Sequence, residues 1–581
     1  MRPLIVDNFA GGGGASTGMG WAIGRSVDIA INHSPEAVAM HAANHPDTLH
    51  YCESVFDVDP IAATGGHPVD LVWFSPDCTH FSKARGNVPV KKEIRGLAWV
   101  AIRWALKKRP RVMMLENVEE FKTWGPLHTC EKSGKCYPDP DRAGETYQGF
   151  IAMLTTGIAP DHPALQECAE FLGLDRKDTA KLVRGLGYTL DTKELRARDY
   201  GAGTLRKRFF MVARCDKQPI VWPKPTHGAP HSEAVLRGEL QPWPVTIDAL
   251  DLSLPCPSIF MDAEQAKAYT KETGIRVKRP LAEASLERIA IGVVKEVLNR
   301  PDPFIIEIAN WSNKRSFSVR ESARTITASP KGGSFALVNP VTAPFVGRQF
   351  GKSVSHAANE SSATITAGGG GKSALVAPVM VQANGGFNTK VSRSATDSCS
   401  TITCTGSQQQ LAAIFMTHLR NNMVSSAAND STPTITAGGT HHAEVRLTLV
   451  APGESGLSPE QEAGAVEVAA FLMRYYSNGG RWSAVDKSLP TVTTKERIAL
   501  VTVTWNRQTM VIVDIGMRML TPRELFTLQG FPVNYIIDGY MDKPVSKKDQ
   551  VARVGNSVPP QFADALVRAN LPELCVNRIA A

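Results

Sequence analysis

Over its first 215 residues the chain alternates short apolar runs with amphipathic stretches, and this alternation restricts the possible folds more than any other feature. The runs at Leu4–Asn8, 27–32, Val69–Phe74, 112–115 and 209–213 have the length and apolar character of buried strands. Residues 93–107 instead place Ile94, Leu97, Ala98, Ala101, Ile102 and Ala105 at helical spacing. Apolar strands separated by helices predict a mostly parallel sheet covered on both faces, an α/β core. An insertion at 122–187 adds two predicted helices, 163–173 and 176–186.

From residue 216 the texture changes. Pro, Ser, Thr and Gly rise, and a degenerate repeat appears with β-branched T-[IV]-T anchors at Ile326, Ile365, Ile402, Ile435 and Val492, spaced by 39, 37, 33 and 57 residues. Each copy continues through a small or glycine-bearing loop into a second apolar run, so each predicts a β-hairpin-like unit. The longest interval contains a predicted helix, Pro459–Tyr476. After 516 the helix-and-loop texture returns. The expected organisation is a core at 1–215, a β-rich region at 216–515, and a segment at 516–581 that completes the core. A length of 581 residues suits several domain-sized units.

Composition excludes some classes. Hydrophobic residues at 43% and charged residues at 21% are globular usage, and no run nears the ~18 apolar residues of a membrane span. The amino-terminal stretch lacks the greasy core of an export signal, so a cytoplasmic location without membrane association is expected. The 10 Cys are too scattered for a disulfide framework, so each thiol is expected to be reduced and one could be a nucleophile. The net charge of +8 does not by itself demand a polyanionic partner.

Four local signals carry chemistry. Phe9-Ala10-Gly11-Gly12-Gly13-Gly14 follows the first strand and precedes a helix; glycines there allow close backbone approach by a nucleotide-like ligand or make a tight structural turn. Ser75-Pro76-Asp77-Cys78 closes the strand Val69–Phe74, and in open α/β sheets ligands sit beyond the carboxyl ends of strands. Polar neighbours separate Cys78 from Cys52, Cys168 and Cys215, which read as small buried hydrophobes. Glu116-Asn117-Val118 closes the next strand, where a sheltered carboxyl group can act as an acid or hydrogen-bond donor. Arg206-Lys207-Arg208 precedes the run at 209–213, and strand alternation places the two arginines on one face. Between Lys83 and Arg95 five cations face a single acid, Glu93, which suits either a phosphate-gripping loop or a solvated surface. His128, Cys130 and Cys136 lack the two close pairs of a zinc site, and no metal is expected.

In this order, followed by Arg518 through Pro532 and by Gly555-Asn556-Ser557-Val558, the motifs resemble those of the cytosine-5 DNA methyltransferase family, especially its long bacterial and bacteriophage members. The resemblance covers roughly residues 3–118, 187–214 and 516–570. It implies a Rossmann-like, S-adenosylmethionine-dependent methyltransferase core with a β-rich recognition domain inserted into it. Carried over by position, Phe9, Gly11 and Gly13 match the S-adenosylmethionine turn, and Asp57 the acid that meets the adenine amino group. Asn32 stands where an acidic residue usually holds the ribose hydroxyls, Thr204 where a Gln is usual, and Asp77 where a Pro is common. Cys78 matches the nucleophile, Glu116 the catalytic glutamate, Arg206 and Arg208 the paired arginines, and Asn556 the last motif at the cofactor site.

The activity so implied is methyl transfer to carbon 5 of cytosine in double-stranded DNA. A thiolate first adds at carbon 6, because carbon 5 alone is too weak a nucleophile, and the target base must leave the stack. A monomer is expected, and a cognate restriction endonuclease is a candidate partner. Glycine-bearing loops such as 368–371 and 438–440 are expected either to enter a DNA groove or to be turns in a stack of structural hairpins that bury one another. The alternatives are an RNA cytosine-5 methyltransferase, against which the large inserted region argues, and a catalytically silent DNA-binding relative, against which the full set of catalytic residues argues. A nicotinamide oxidoreductase would share the glycine turn but needs none of the later motifs.

Overall fold

Strand alternation sorts side chains onto two faces, and the first sheet uses both. In the computed structural model, which describes residues 2–77, 96–130, 135–251, 253–293 and 508–577 together with strands and one helix between 304 and 505, that sheet has seven strands. They are β1 (Leu4–Asn8), β2 (Ile29–Ile31), β3 (Leu49–Tyr51), β4 (Val69–Phe74), β5 (Val112–Asn117), β6 (Thr189–Arg196) and β7 (Lys207–Arg214). Their spatial order is β3-β2-β1-β4-β5-β7-β6. All pairings from β3 across to β5 are parallel, and β7 runs antiparallel between β5 and β6. The order reverses between β1 and β4, which opens a crevice at the carboxyl ends of those strands.

Val6, Val72, Phe74, Met113, Leu115, Phe209 and Met211 point to one face. There they pack under α3 (Trp99–Lys107) and α4 (Glu145–Leu154), with Trp99, Ile102, Trp124 and Phe150 fully buried. Ile5, Leu71, Trp73, Val112, Met114, Phe210 and Val212 point to the other face, against Met19 and a carboxyl-terminal cluster of Phe562, Leu566 and Val567. The sheet therefore has one face covered by local helices and the other partly by residues from the far end of the chain. Two strands are not apparent from apolar runs: β3 has only three residues, and β6, Thr-Leu-Asp-Thr-Lys-Glu-Leu-Arg, is a half-exposed edge strand.

The second sheet is mostly antiparallel and has twelve strands. β8 (Ser334–Asn339), β9 (Gln409–His418), β10 (His442–Val450) and β11 (Gln508–Met519) lie among them. β8, β9 and β10 carry the second apolar runs of three repeat copies; the five T-[IV]-T anchors and the glycine loops at 368–371 and 438–440 lie outside the described residues. The helix Pro459–Tyr476 has its expected bounds and packs on β11, where a Cβ at Gly464 would come within 2.3 Å of the Val513 carbonyl. β11 pairs with β10 from Val450↔Val511 to Ala443↔Met519. The chain then returns to the first sheet through α5 (Pro522–Leu528), α6 (Lys547–Asn556) and α7 (Pro560–Asn570).

Candidate active site

The first half of the site forms where β1 ends. Phe9 has φ 64°, Gly11 50° and Gly13 87°, so three of five consecutive residues are left-handed. Such a conformation is unusual for a phenylalanine, and strain of this kind is held only where surrounding contacts enforce it. Ala10 N donates to Ile31 O at 3.1 Å and Gly13 N to Ala10 O at 2.9 Å, closing a turn before α1 (Gly14–Ile23).

The glycines divide their duties. A Cβ on Gly11 would meet only the Phe9 carbonyl at 3.6 Å, whereas one on Gly14 would lie 2.0 Å from Val558 O and one on Gly18 1.9 Å from Pro560 O. Gly11 leaves space at the turn; Gly14 and Gly18 let the backbone at the start of α7 lie directly on α1.

Asn32 follows β2 and is half-buried; its Oδ1 accepts from Ser34 N at 2.9 Å, and Ser34 in turn caps α2 (Pro35–Asn44). Asp57 is exposed in the loop after β3. Phe9, Gly11, Gly13, Asn32 and Asp57 thus all follow carboxyl ends of adjacent parallel strands. Asn556 is the exposed last residue of α6, between buried Gly555 and Ser557.

Beneath the turn runs a polar network that sequence reasoning missed. Ser16 donates to Asp7 Oδ2 at 2.6 Å, His41 Nε2 lies 2.9 Å from Ser16 Oγ, and His41 Nδ1 lies 2.8 Å from His50 Nε2. In a parallel branch, Thr17 donates to Gly13 O at 2.7 Å and its hydroxyl lies 3.1 Å from His45 Nε2. Tyr535 donates to Gly12 O at 2.7 Å. Burial pushes the Asp7 carboxyl up to about 7 against the Ser16 hydrogen bond, and pushes His45 down to about 4. Burial also holds His41 well below the usual histidine range, helped by neighbouring His45 and His50. Desolvation disfavours the charged form in each case. The spacing of His41 and His45 on one helical face was the available signal; Tyr535 gave none, because it meets Gly12 across 523 positions.

The second half of the site lies at the ends of β4, β5 and β7. Ser75, Pro76 and Asp77 leave β4, and Asn117 Nδ2 donates to Pro76 O at 3.2 Å, tying the two strand ends together. Cys78 and the basic segment 83–95 lie outside the described residues. Glu116 is buried at the end of β5, with Arg208 Nε 3.0 Å from its Oε1. Both side chains occupy the sheet face that α1 and α7 cover. The expected alternation of Arg206 and Arg208 holds, but their partners differ: Arg206 donates to Gly555 O at 3.0 Å, while Lys207 on the opposite face binds Glu119 and Glu194. Arg206 therefore braces the carboxyl-terminal motif, and Arg208 meets the carboxyl group. Gln529 Nε2 donates to Ser557 O at 3.0 Å, a second brace on that motif.

With this geometry in place, residues 4–131 and 409–571, together half of the chain, match a family profile described as C-5 cytosine-specific DNA methylase. The chain belongs to that family.

The chain is similar to proteins named Type II methyltransferases. M.AgeI of Thalassovita gelatinovora is 25% identical over 232 residues, covering 38% of this chain and 42% of its own. M.XorII of Xanthomonas oryzae pv. oryzae is 31% identical over 123 residues, 20% of this chain and 28% of its own. M.AquIA of Picosynechococcus sp. is 23% identical over 264 residues, 44% of this chain and 90% of its own. The chain thus spans less than half the length of the first two. The S. pombe Dnmt2 methyltransferase structure superposes at a TM-score of 0.38 with 12% identity, over 99% of each chain. Among the described residues no helix is long and apolar enough to cross a membrane, and no cluster of His, Cys, Asp and Glu is arranged to hold a metal ion.

Proposed function

We propose that this methylase transfers a methyl group from S-adenosylmethionine to carbon 5 of cytosine in duplex DNA, through a transient bond from Cys78 to a flipped base. The observation that carries the reading is the buried Glu116–Arg208 pair, 3.0 Å apart, on the strand end that Asn117 ties to the Pro76 backbone two residues before Cys78.

The donor fits the first half of the site. A left-handed turn with space at Gly11 meets two polar strand-end residues, and both amide atoms of fully buried Asn8, at the end of β1, lack a hydrogen-bond partner. Phe9, Gly11 and Gly13 would hold it at the turn, Asn32 would hydrogen-bond its ribose, Asp57 its adenine amino group, and Asn556 would close the site from α6. When bound, S-adenosylmethionine would supply an electrophilic methyl group to carbon 5, the donor sulfur keeping the bonding pair and leaving as S-adenosylhomocysteine.

The chain's own residues then act on the pyrimidine. The Cys78 thiolate adds at carbon 6, and Glu116 donates a proton or hydrogen bond at N3 as negative charge builds on the ring. Arg208 steadies the developing charge at O2, and Arg206 holds the Gly555 end of the last motif against the site. Removal of the carbon-5 proton by a base, water among the candidates, lets the Cys78 sulfur leave. Residues 216–515 serve as the recognition region. We infer further that the chain is a cytoplasmic monomer, and the Type II names of its relatives support a cognate restriction endonuclease as its partner.

The test uses methyl-labelled donor and duplex DNA. Label should appear on cytosine carbon 5, Cys78→Ser should transfer none, and a 5-fluorocytosine duplex should leave a permanent adduct on Cys78. Label on adenine alone, or turnover without an adduct at Cys78, overturns the reading.

A further inference from the structure

The helix Ala263–Thr273 and the loop after it border an open, largely apolar groove of about 570 Å³ whose charged lining is entirely cationic: the stems of Lys267, Lys271, Arg276, Lys278 and Arg279 over a floor that includes Ala266. Lys271, Arg276 and Lys278 are exposed and make no ion pair among the described residues. The nearby acids are otherwise engaged: Asp262 caps the helix through Glu264 N and Gln265 N at 2.8 Å, and Glu264 pairs with Lys267 at 2.7 Å. Glu272 is not part of the lining.

The loop is held firmly. The half-buried Arg279 donates to Ser258 O and Pro257 O, each at 2.9 Å, and to Met517 O at 3.1 Å. Its guanidinium is thereby spent on backbone carbonyls and locks the other cations onto β11. One residue further along that strand, Arg518 pairs with Glu524 at 2.9 Å at the head of the returning catalytic segment. Unpaired cations on a fixed concave support repel one another, so such an arrangement persists at a cost that an anionic ligand removes.

We infer that this basic groove binds backbone phosphates of duplex DNA, as a contact outside the pocket that receives the target base. The inference rests on the DNA-methylating reading above. Phosphate contacts position a duplex without reading its sequence, and each one lost lowers the salt dependence of binding by about one in the log–log slope. Ordering the loop in advance reduces what is lost on binding.

The full chain is tested with a fluorescein-labelled 40-base-pair duplex of arbitrary sequence, by anisotropy from 50 to 200 mM NaCl. Lys271→Gln/Arg276→Gln/Lys278→Gln should weaken binding at least about fivefold at the lowest salt and reduce the slope by about 2–3, with a thermal melt no lower than wild type. Arg176→Gln/Lys177→Gln/Lys217→Gln, which removes the same charge from exposed positions elsewhere, should leave the slope near wild type. An unchanged slope in the first variant, or an equal fall in both, overturns this inference and leaves the methylation reading standing. Failure of the wild type to bind any duplex overturns both.

Discussion

At the β1 end of the crevice the chain works by leaving atoms out, whereas at the β5 end it works by setting a buried carboxyl group against a guanidinium. Gly14 and Gly18 are bare so that Val558 O and Pro560 O can approach within distances no Cβ would permit. Glu116 and Arg208 are large, buried and paired at 3.0 Å. The difference predicts different failures. Damage to the first end should appear in stability or donor binding, and damage to the second in the chemical step with the fold intact.

The largest expected effect tests the second end. Glu116→Gln keeps the shape but cannot supply the proton, and it leaves Arg208 without its carboxyl partner. Methyl transfer should fall by about 10²–10⁴-fold with donor affinity little changed. A matching loss of donor affinity would erase the contrast between the two ends.

Gly18→Ala should show the opposite pattern. Its Cβ would sit 1.9 Å from a backbone oxygen that cannot rotate away, so α1 and α7 must separate, at a cost of about 1–3 kcal/mol read as a lower melting temperature. Gly11→Ala meets no neighbour closely but must hold a φ of 50°, so it should cost about 1–2 kcal/mol of stability and in addition raise the KM for the donor; that second effect separates it from the packing glycines.

The buried network gives a pH test of the first end. Asp7 binds its proton up to about pH 7 in the folded chain, against 3.8 ordinarily, so the folded state holds the extra proton across that interval. Its contribution to stability is present at low pH and is lost as pH rises from about 4 to about 7. His45, lowered from 6.5 to about 4, acts in reverse: its contribution is present above 6.5 and is lost as pH falls towards 4. Asp7→Asn should therefore gain stability relative to wild type as pH rises from 4 to 7, in thermal melts. A difference independent of pH would mean that Asp7 stays charged throughout. The smallest effect is expected from Tyr535→Phe, which loses one hydrogen bond to Gly12 O, worth about 1 kcal/mol and detectable as a modest rise in donor KM.

The same contrast explains what could be read from sequence. β1 and β4 match their expected bounds because a parallel strand buried on both faces must be apolar almost throughout. β6 escaped because an edge strand can be polar along one side, and β3 because three residues carry no period. Glu116 and Arg208 announce themselves by type and position at strand ends. The glycine turn was legible as a turn, but not as a docking surface for residues 558–560, since nothing local indicates which distant backbone will fill the missing side chains. Arg206 illustrates the same limit: alternation fixed its face, and only the return of the chain shows that Gly555 O waits there. The Asp7–Ser16–His41–His50 chain joins four separate elements, so no window along the sequence contains it.

The contact of Gly14 and Gly18 with Val558 and Pro560 also orders events during translation. A nascent chain halted before residue 558 has every strand of the parallel sheet but lacks the backbone that seals α1, so the donor turn forms without its lid. Competence to modify DNA would thus emerge late in synthesis, and truncated products would be inert even though they carry Cys78 and Glu116.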